Sequence, residues 1–364
     1  MLTETKSTTE KRLIEIDILR GFAMLAVVAI HVTNLPLQNL AEKSGHLFFY
    51  MVSSFLNFAV PVFVLISALM AAYSEDLRPT PLWPYYKKKL IRLFVPYLAW
   101  SLFYLAFRFV THGLFLEDIL SWRNWVAWIL QGRAYEHLYF LAVICQFHVL
   151  FPLLFRLARL VKDKPFWAFF IAVGGQHIVY WVNRLWVYRV FPYFHASFFG
   201  YFGIVFLGLY LGLNYDKACR WLRKYAKWLA LFCLASAVAF LYYNCLLYKE
   251  IKFHSYPYSF IRLFYVASLP LCLLAPALSL RLQQGWSGRG LVWVGSYTLG
   301  IYLAHPVLNF ILRRYVKTDN LLLLALICIA AIFAFTVVCG YITKFLQRYR
   351  LTAWIFGTKA TRIQ

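Results

Sequence analysis

The feature that most restricts this chain is a recurrence of apolar blocks of about 20 residues, each closed by a short polar break, the length a helix needs to cross a bilayer. Ten candidate spans are read, at 18–37, 47–73, 91–111, 137–155, 166–182, 198–213, 228–247, 259–280, 291–311 and 320–343. A membrane β-barrel would alternate apolar and polar residues with period two, and these blocks do not. Composition agrees: 62% of residues are hydrophobic, 14% are charged, and the mean hydropathy is +0.64. An ordinary soluble domain has roughly 45–50% apolar and about 25% charged residues. A soluble globular domain, a disordered chain and a disulfide-stapled secreted module are therefore excluded. The expected fold is an all-α integral membrane protein, with about ten transmembrane helices in one bundle. The first block is longer than a signal-peptide core and no small-x-small cleavage site follows it, so it reads as a retained span.

The net charge of +23 raises the question of nucleic-acid binding. Its distribution argues against it. Lys and Arg are more than twice as frequent in the tails and loops on the N-terminal side of the spans as on the opposite side. The positive-inside rule then puts both termini in the cytoplasm, with the cations near anionic headgroups. The domain reading follows: a cytoplasmic tail over 1–16, a ten-helix domain over 17–345 and a cytoplasmic tail over 346–364. The segment Trp122–Leu130 is expected to lie flat on the outer surface. The seven cysteines fall mostly inside apolar blocks and form no CxxC pair, so they read as small buried hydrophobes with no metal site. Gly208 and Gly212 make a GxxxG face, read as internal helix packing in preference to a dimer contact. No internal repeat is visible, so the inverted-repeat mark of many transporters is missing.

Ionisable groups at membrane depth are costly, so each is a candidate functional residue. The strongest set lies in the first span, Asp17-Ile-Leu-Arg20 through to His31. Arg20 and His31 are 11 residues apart. On a helix this is roughly three turns plus about 20°, so they share one face, about 16 Å apart along the axis. Asp17, one turn before Arg20, can hold its guanidinium. His148 and His177 have no motif around them and read as structural. His112 with Glu117 mimics the HxxxxD of soluble acyltransferases only loosely and is set aside.

The Arg-x10-His pattern resembles the first span of the membrane acyltransferase-3 family. Four further stretches resemble its motifs, in the family's order. Pro61-Val-Phe-Val-Leu-Ile-Ser67-Ala68 is similar to a turn that ends in Ser-Gly in the family. Lys88-Lys89-Leu-Ile-Arg92 is similar to its RRxxR segment, with Lys for the first two Arg. His137-Leu-Tyr139-Phe-Leu141 with Phe151-Pro152 resembles its HLWFL signature. Ser296-Tyr-Thr-Leu-Gly-Ile-Tyr302-Leu-Ala-His305-Pro306 resembles its SYxxYLxHP signature.

The resemblance implies transfer of an acyl group, above all acetyl, from cytoplasmic acyl-CoA to a hydroxyl of an extracytoplasmic glycan or lipid-linked sugar. It implies the cytoplasmic (inner) membrane of a bacterium. Acyl-CoA would be a co-substrate, with no permanently bound cofactor and no metal. Arg20 would anchor the donor, and His31 would act as general base or covalent relay. Lys88, Lys89 and Arg92 would bind donor phosphates. Glu136, His137, Tyr139, Tyr302 and His305 would shape the acceptor site or acyl tunnel. A member without the appended esterase-like domain of some relatives is expected, in which a second transfer step would need a partner protein or direct transfer. A polysaccharide or amphiphile exporter is the alternative. A different family of membrane-bound acyltransferases, with its key His in a late span, would make His305 essential and His31 dispensable.

Overall fold

The computed structural model describes residues 12–40, 45–111, 113–188, 196–349 and 355–356. His112 and most of the two terminal tails lie outside them. Among the described residues the regular structure is helical, with no strand. The helix α1 (Ile14–Leu40) is the axis of the molecule. Ile16, Ile18, Leu19, Ala23 and Met24 are all inaccessible to solvent, so the helix is buried nearly all round.

The chain continues through α2 (His46–Leu56), α3 (Ala59–Leu77), α4 (Leu82–Lys89), a π-helical turn over Leu90–Phe94 and α5 (Val95–Val110). The short helices α6 (Leu116–Leu120) and α7 (Trp122–Leu130) lead to α8 (Tyr139–Leu160) and α9 (Pro165–Val182), which a second π turn extends over Asn183–Val187. A 3-10 turn at Phe198–Tyr201 precedes α10 (Phe202–Leu213) and α11 (Tyr215–Tyr248). The last elements are α12 (Ser255–Ala277), α13 (Leu280–Gln284), α14 (Trp286–Ser296), α15 (Thr298–Tyr315) and α16 (Leu321–Leu346). Helices α2, α3, α12, α14, α15 and α16 surround α1.

Seven helical stretches are long and apolar enough to span a membrane, and eight if the bent pair α14–α15 is one span. That measure falls short of the ten blocks read from the sequence, for identifiable reasons. The block at 291–311 is broken at Tyr297, where α14 and α15 meet at 81°. α10 has only 12 residues. The polar pair Gln176 and His177 dilutes the 18-residue α9. The block at 47–73, by contrast, is counted as one span, His46–Leu77, although it is two helices joined by a turn at Asn57–Phe58.

Small residues set the closest approaches. A Cβ on Gly208 would meet the Leu65 carbonyl and Ala68, and one on Gly212 would meet the Leu69 carbonyl and Ala72. The GxxxG face thus packs internally on α3, where two backbones approach as only Gly and Ala allow. Gly21 and Gly295 do the same between α1 and α14, each against a main-chain carbonyl of the other helix. All seven cysteines are free thiols. Arg12 and Asp17 from the start of the chain line one cavity with Gln347 and Phe356 from its end, so both extremities of the described chain lie at one end of the bundle.

Candidate functional site

The first span places its charges as the helical spacing requires. Asp17 is 6% exposed. Its carboxylate accepts from Arg12 Nε at 2.6 Å and from Arg20 Nη1 at 2.9 Å. A buried carboxylate needs such partners, since charge at low dielectric is costly unless paired. Arg12 also donates from Nη2 to the Ser296 hydroxyl at 2.7 Å. Together with Thr298, Leu299 and Gly300 these residues line a cavity of about 470 Å³ at the terminal end. The α14–α15 break creates one wall. It exposes the start of α15, whose first N–H groups have no intrahelical acceptor. Two guanidiniums and a helix N-terminus make this an anion-accepting cavity.

α1 and α15 pack side by side and both run from this cavity toward the far end. There His31 meets two groups, with a third behind them. Its Nδ1 lies 3.3 Å from Glu136 Oε1, an ion-pair distance, although the angle falls outside a formal hydrogen bond. Its ring packs on His305 with centroids 5.0 Å apart. His305 in turn packs edge-on against His137 at 5.8 Å. The Glu136 carboxyl is held below its ordinary range first by its interaction with His31, against the effect of burial.

Hydrogen bonding assigns roles within the cluster. His305 Nδ1 lies 3.0 Å from the Ile301 carbonyl, which only accepts, so Nδ1 carries the proton. Its Nε2 is then an acceptor with no partner among the described residues. His305 and His137 are 0% and 1% exposed, and neither ring nitrogen of His137 has a partner among the described residues. Buried polar atoms are seldom left unpaired, so these nitrogens mark a place built for a ligand. The Tyr302 hydroxyl donates to the His137 carbonyl, which fixes the loop before α8.

Of the sequence-derived residues, Arg20 lines the cavity, and His31, Glu136, His137, Tyr302 and His305 converge at the cluster. Tyr139 points elsewhere, sharing a hydrogen bond with Tyr201 on the α9–α10 side. Lys88, Lys89 and Arg92 do not line the Arg20 cavity. Lys89 Nζ lies 3.4 Å from His148 Nε2, while His148 Nδ1 is 2.8 Å from the Tyr85 hydroxyl. Lys88 is exposed and Arg92 half-buried. His148 has the local partners expected of a structural residue. Asn309 was missed by the sequence reading. It is 1% exposed, its Oδ1 is unpartnered, and it lies one helical turn after His305. The signal was there, a lone amide four residues after His305 in an apolar run. No group of three or more His, Cys, Asp or Glu residues suited to a metal ion occurs among the described residues.

Comparison with known proteins gives two findings. Residues 13–343 match the family model described as an acyltransferase domain, that of the acyltransferase-3 family. Among similar proteins is a "Probable poly-beta-1,6-N-acetyl-D-glucosamine export protein" of Staphylococcus aureus (strain MRSA252), 22% identical over 363 residues, covering 96% of this chain and 97% of the relative. A protein of the same description from Staphylococcus epidermidis is 22% identical over 372 residues, covering 98% and 97%. No solved structure matches the chain.

Proposed function

Because the chain belongs to the membrane acyltransferase-3 family and is a multi-pass membrane protein of acyltransferase type, we propose that it moves an acyl group, acetyl above all, from cytoplasmic acyl-CoA to a hydroxyl of an extracytoplasmic glycan. The observation that carries this reading is the line from the Arg20 cavity along α1 and α15 to the His31–Glu136 pair. In this reading ten segments cross a bacterial inner membrane, with the terminal end in the cytoplasm.

The donor's phosphates sit on Arg12, Arg20 and the start of α15, where charge-assisted hydrogen bonds are strongest. The pantetheine arm runs between α1 and α15 and brings the thioester to His31. Glu136 holds the imidazole through Nδ1, which leaves Nε2 as the base, the same division of labour as in a carboxylate–histidine dyad. Nε2 takes the proton of the acceptor hydroxyl as its oxygen attacks the thioester carbonyl. A C–O bond forms, the C–S bond breaks, and the imidazolium returns the proton to the leaving thiolate. Direct acylation of His31, followed by transfer, would use the same atoms in two steps. His305 Nε2 and Asn309 flank the path and serve to orient the reacting groups.

The printed names of the relatives favour one second reading, polysaccharide export. Export would move substrate without consuming acyl-CoA. The deciding experiment follows release of free coenzyme A thiol from acetyl-CoA by protein in nanodiscs, supplied with a panel of glycans. Turnover abolished by both Arg20→Ala and His31→Ala is the expected result. Glycan flux with no thiol release would establish export instead.

A further inference from the structure

A second pair of cavities lies away from the histidine cluster, between α9, α10 and α12. The one nearer the far end, about 270 Å³, is polar and aromatic, lined by Gln176, His177, Tyr180, Asn183, Tyr256 and Arg262 among others. Below it, toward the terminal end, lies a cavity of about 160 Å³ lined by apolar side chains such as Ala168, Phe169, Ala172, Phe264 and Ala267. Leu263 borders both. The three helices therefore present two adjoining recesses, a polar head and a hydrocarbon foot, that meet at Leu263.

Two atoms in the head say what it receives. Arg262 forms no ion pair among the described residues, and no carboxylate lines its cavity. An unpaired guanidinium at membrane depth is costly, and an anion, phosphate above all, offers it bidentate hydrogen bonds. Asn183 Oδ1 is buried without a partner among the described residues. It accepts only, so it requires a donor such as a hydroxyl. It begins the π turn after α9, and such turns occur often at functional sites. Two of the other polar groups are already braced. Gln176 Oε1 accepts from the Gly203 N–H at 2.9 Å, and the Tyr180 hydroxyl lies 2.9 Å from Ser255 Oγ. Rings of Tyr180, Trp181 and His177 pack around Tyr256 and give the head rigid walls.

We propose that this recess binds a lipid-linked saccharide whose phosphate lies on Arg262, whose sugar hydroxyl donates to Asn183 and whose hydrocarbon chain occupies the apolar foot. A soluble glycan has no use for the foot, and a phospholipid such as phosphatidylglycerol offers the amide and tyrosine walls a glycerol in place of a sugar ring. Tyr201 lines the head and hydrogen-bonds Tyr139, which starts α8 two residues after His137. The sugar is thus held one aromatic layer from the histidine cluster. This assignment rests on the acyltransferase reading for its purpose, as the acceptor's docking site, but its test does not.

The test measures equilibrium binding to the full chain in nanodiscs by native mass spectrometry. Three probes are compared: a polyprenyl diphosphate-linked N-acetylglucosamine, phosphatidylglycerol, and the soluble nucleotide-free sugar diphosphate lacking the chain. The lipid-linked sugar is expected to bind best. Arg262→Gln and Asn183→Ala should each weaken it about tenfold or more, the cost of one charge-assisted or buried hydrogen bond. Ala267→Phe, which fills the foot, should weaken the lipid-linked probe and leave the soluble one unchanged. Arg20→Ala should leave binding unchanged. Equal binding of phosphatidylglycerol would make the recess a general lipid crevice, and equal binding of the soluble sugar diphosphate would remove the lipid. Either result, or Kd unaltered in both Arg262→Gln and Asn183→Ala, overturns the proposal. Lipid-linked sugar bound normally by protein that releases no thiol would fail the acyltransferase reading and leave this one standing.

Discussion

Arg20 and Arg262 are both arginines within long apolar helices, and the fold treats them oppositely. Arg20 is bound to Asp17, shares that carboxylate with Arg12, and opens on the start of α15. Arg262 faces a cavity of amides and phenols with no carboxylate on its wall among the described residues. A paired guanidinium is held in place before any ligand arrives, so it can position a multiply charged donor at low entropic cost. An unpaired one leaves its desolvation cost standing until an anion binds, so it favours occupancy by that anion. The difference separates a transfer axis along α1 and α15 from a holding site between α9, α10 and α12.

Three substitutions sharpen or break this separation. The largest effect is expected from Glu136→Gln, which removes the charge that orients His31. The rate of thiol release should fall about a hundredfold, within the range of general-base catalysis. The sign with pH is fixed by the lowered carboxyl of Glu136, held down first by His31. Its interaction is fully present above the ordinary carboxylate value, about 4.3, and is lost only as pH falls through the lowered folded value. The carboxylate therefore stays charged between about pH 6 and pH 8 and adds no pH dependence of its own there. Thiol release by Glu136→Gln that equals the unsubstituted rate throughout that window would take Glu136 out of the role.

Asp17→Asn should act at the donor end alone. It leaves Arg12 and Arg20 without their shared anion, and the expected result is a rise of about tenfold in KM for the acyl donor. Binding of the lipid-linked probe should not change. An equal loss of both would mean that the two regions are one. The smallest effect belongs to Lys88→Ala. An exposed cation that does not line the donor cavity should change donor KM less than about twofold, as a titration of acetyl-CoA would show. A tenfold change would restore the lysine segment to the donor site.

How legible each part was in the sequence follows from the range of the interactions involved. The Asp17–Arg20 pair and the common line of Arg20 and His31 depend only on helical pitch, and both appear as read. The GxxxG packing of α10 also required nothing beyond the local pattern. The fate of the cationic segment was not local. Lys89 is drawn to His148 on α8, 59 residues away, because helices α4 and α8 meet and a half-buried ammonium takes the nearest lone pair. Tyr139 and His137 are two residues apart, yet one joins Tyr201 and the other the histidine cluster. That split follows from the start of α8, where neighbouring side chains leave on different sides.

The sequence by itself determined that the chain is a bundle of apolar helices and that its first span carries a charged and a titratable group on one face. Hydrophobic length and helical period are properties of short stretches and need no partner. Only the tertiary structure decided that His31, Glu136, His137 and His305, from three distant segments, meet in one place, and that the guanidinium of Arg262 has no counter-charge among the described residues. Such meetings depend on which helices pack together. That is set by the sum of many weak side-chain contacts and close glycine approaches, and no single stretch of sequence records it.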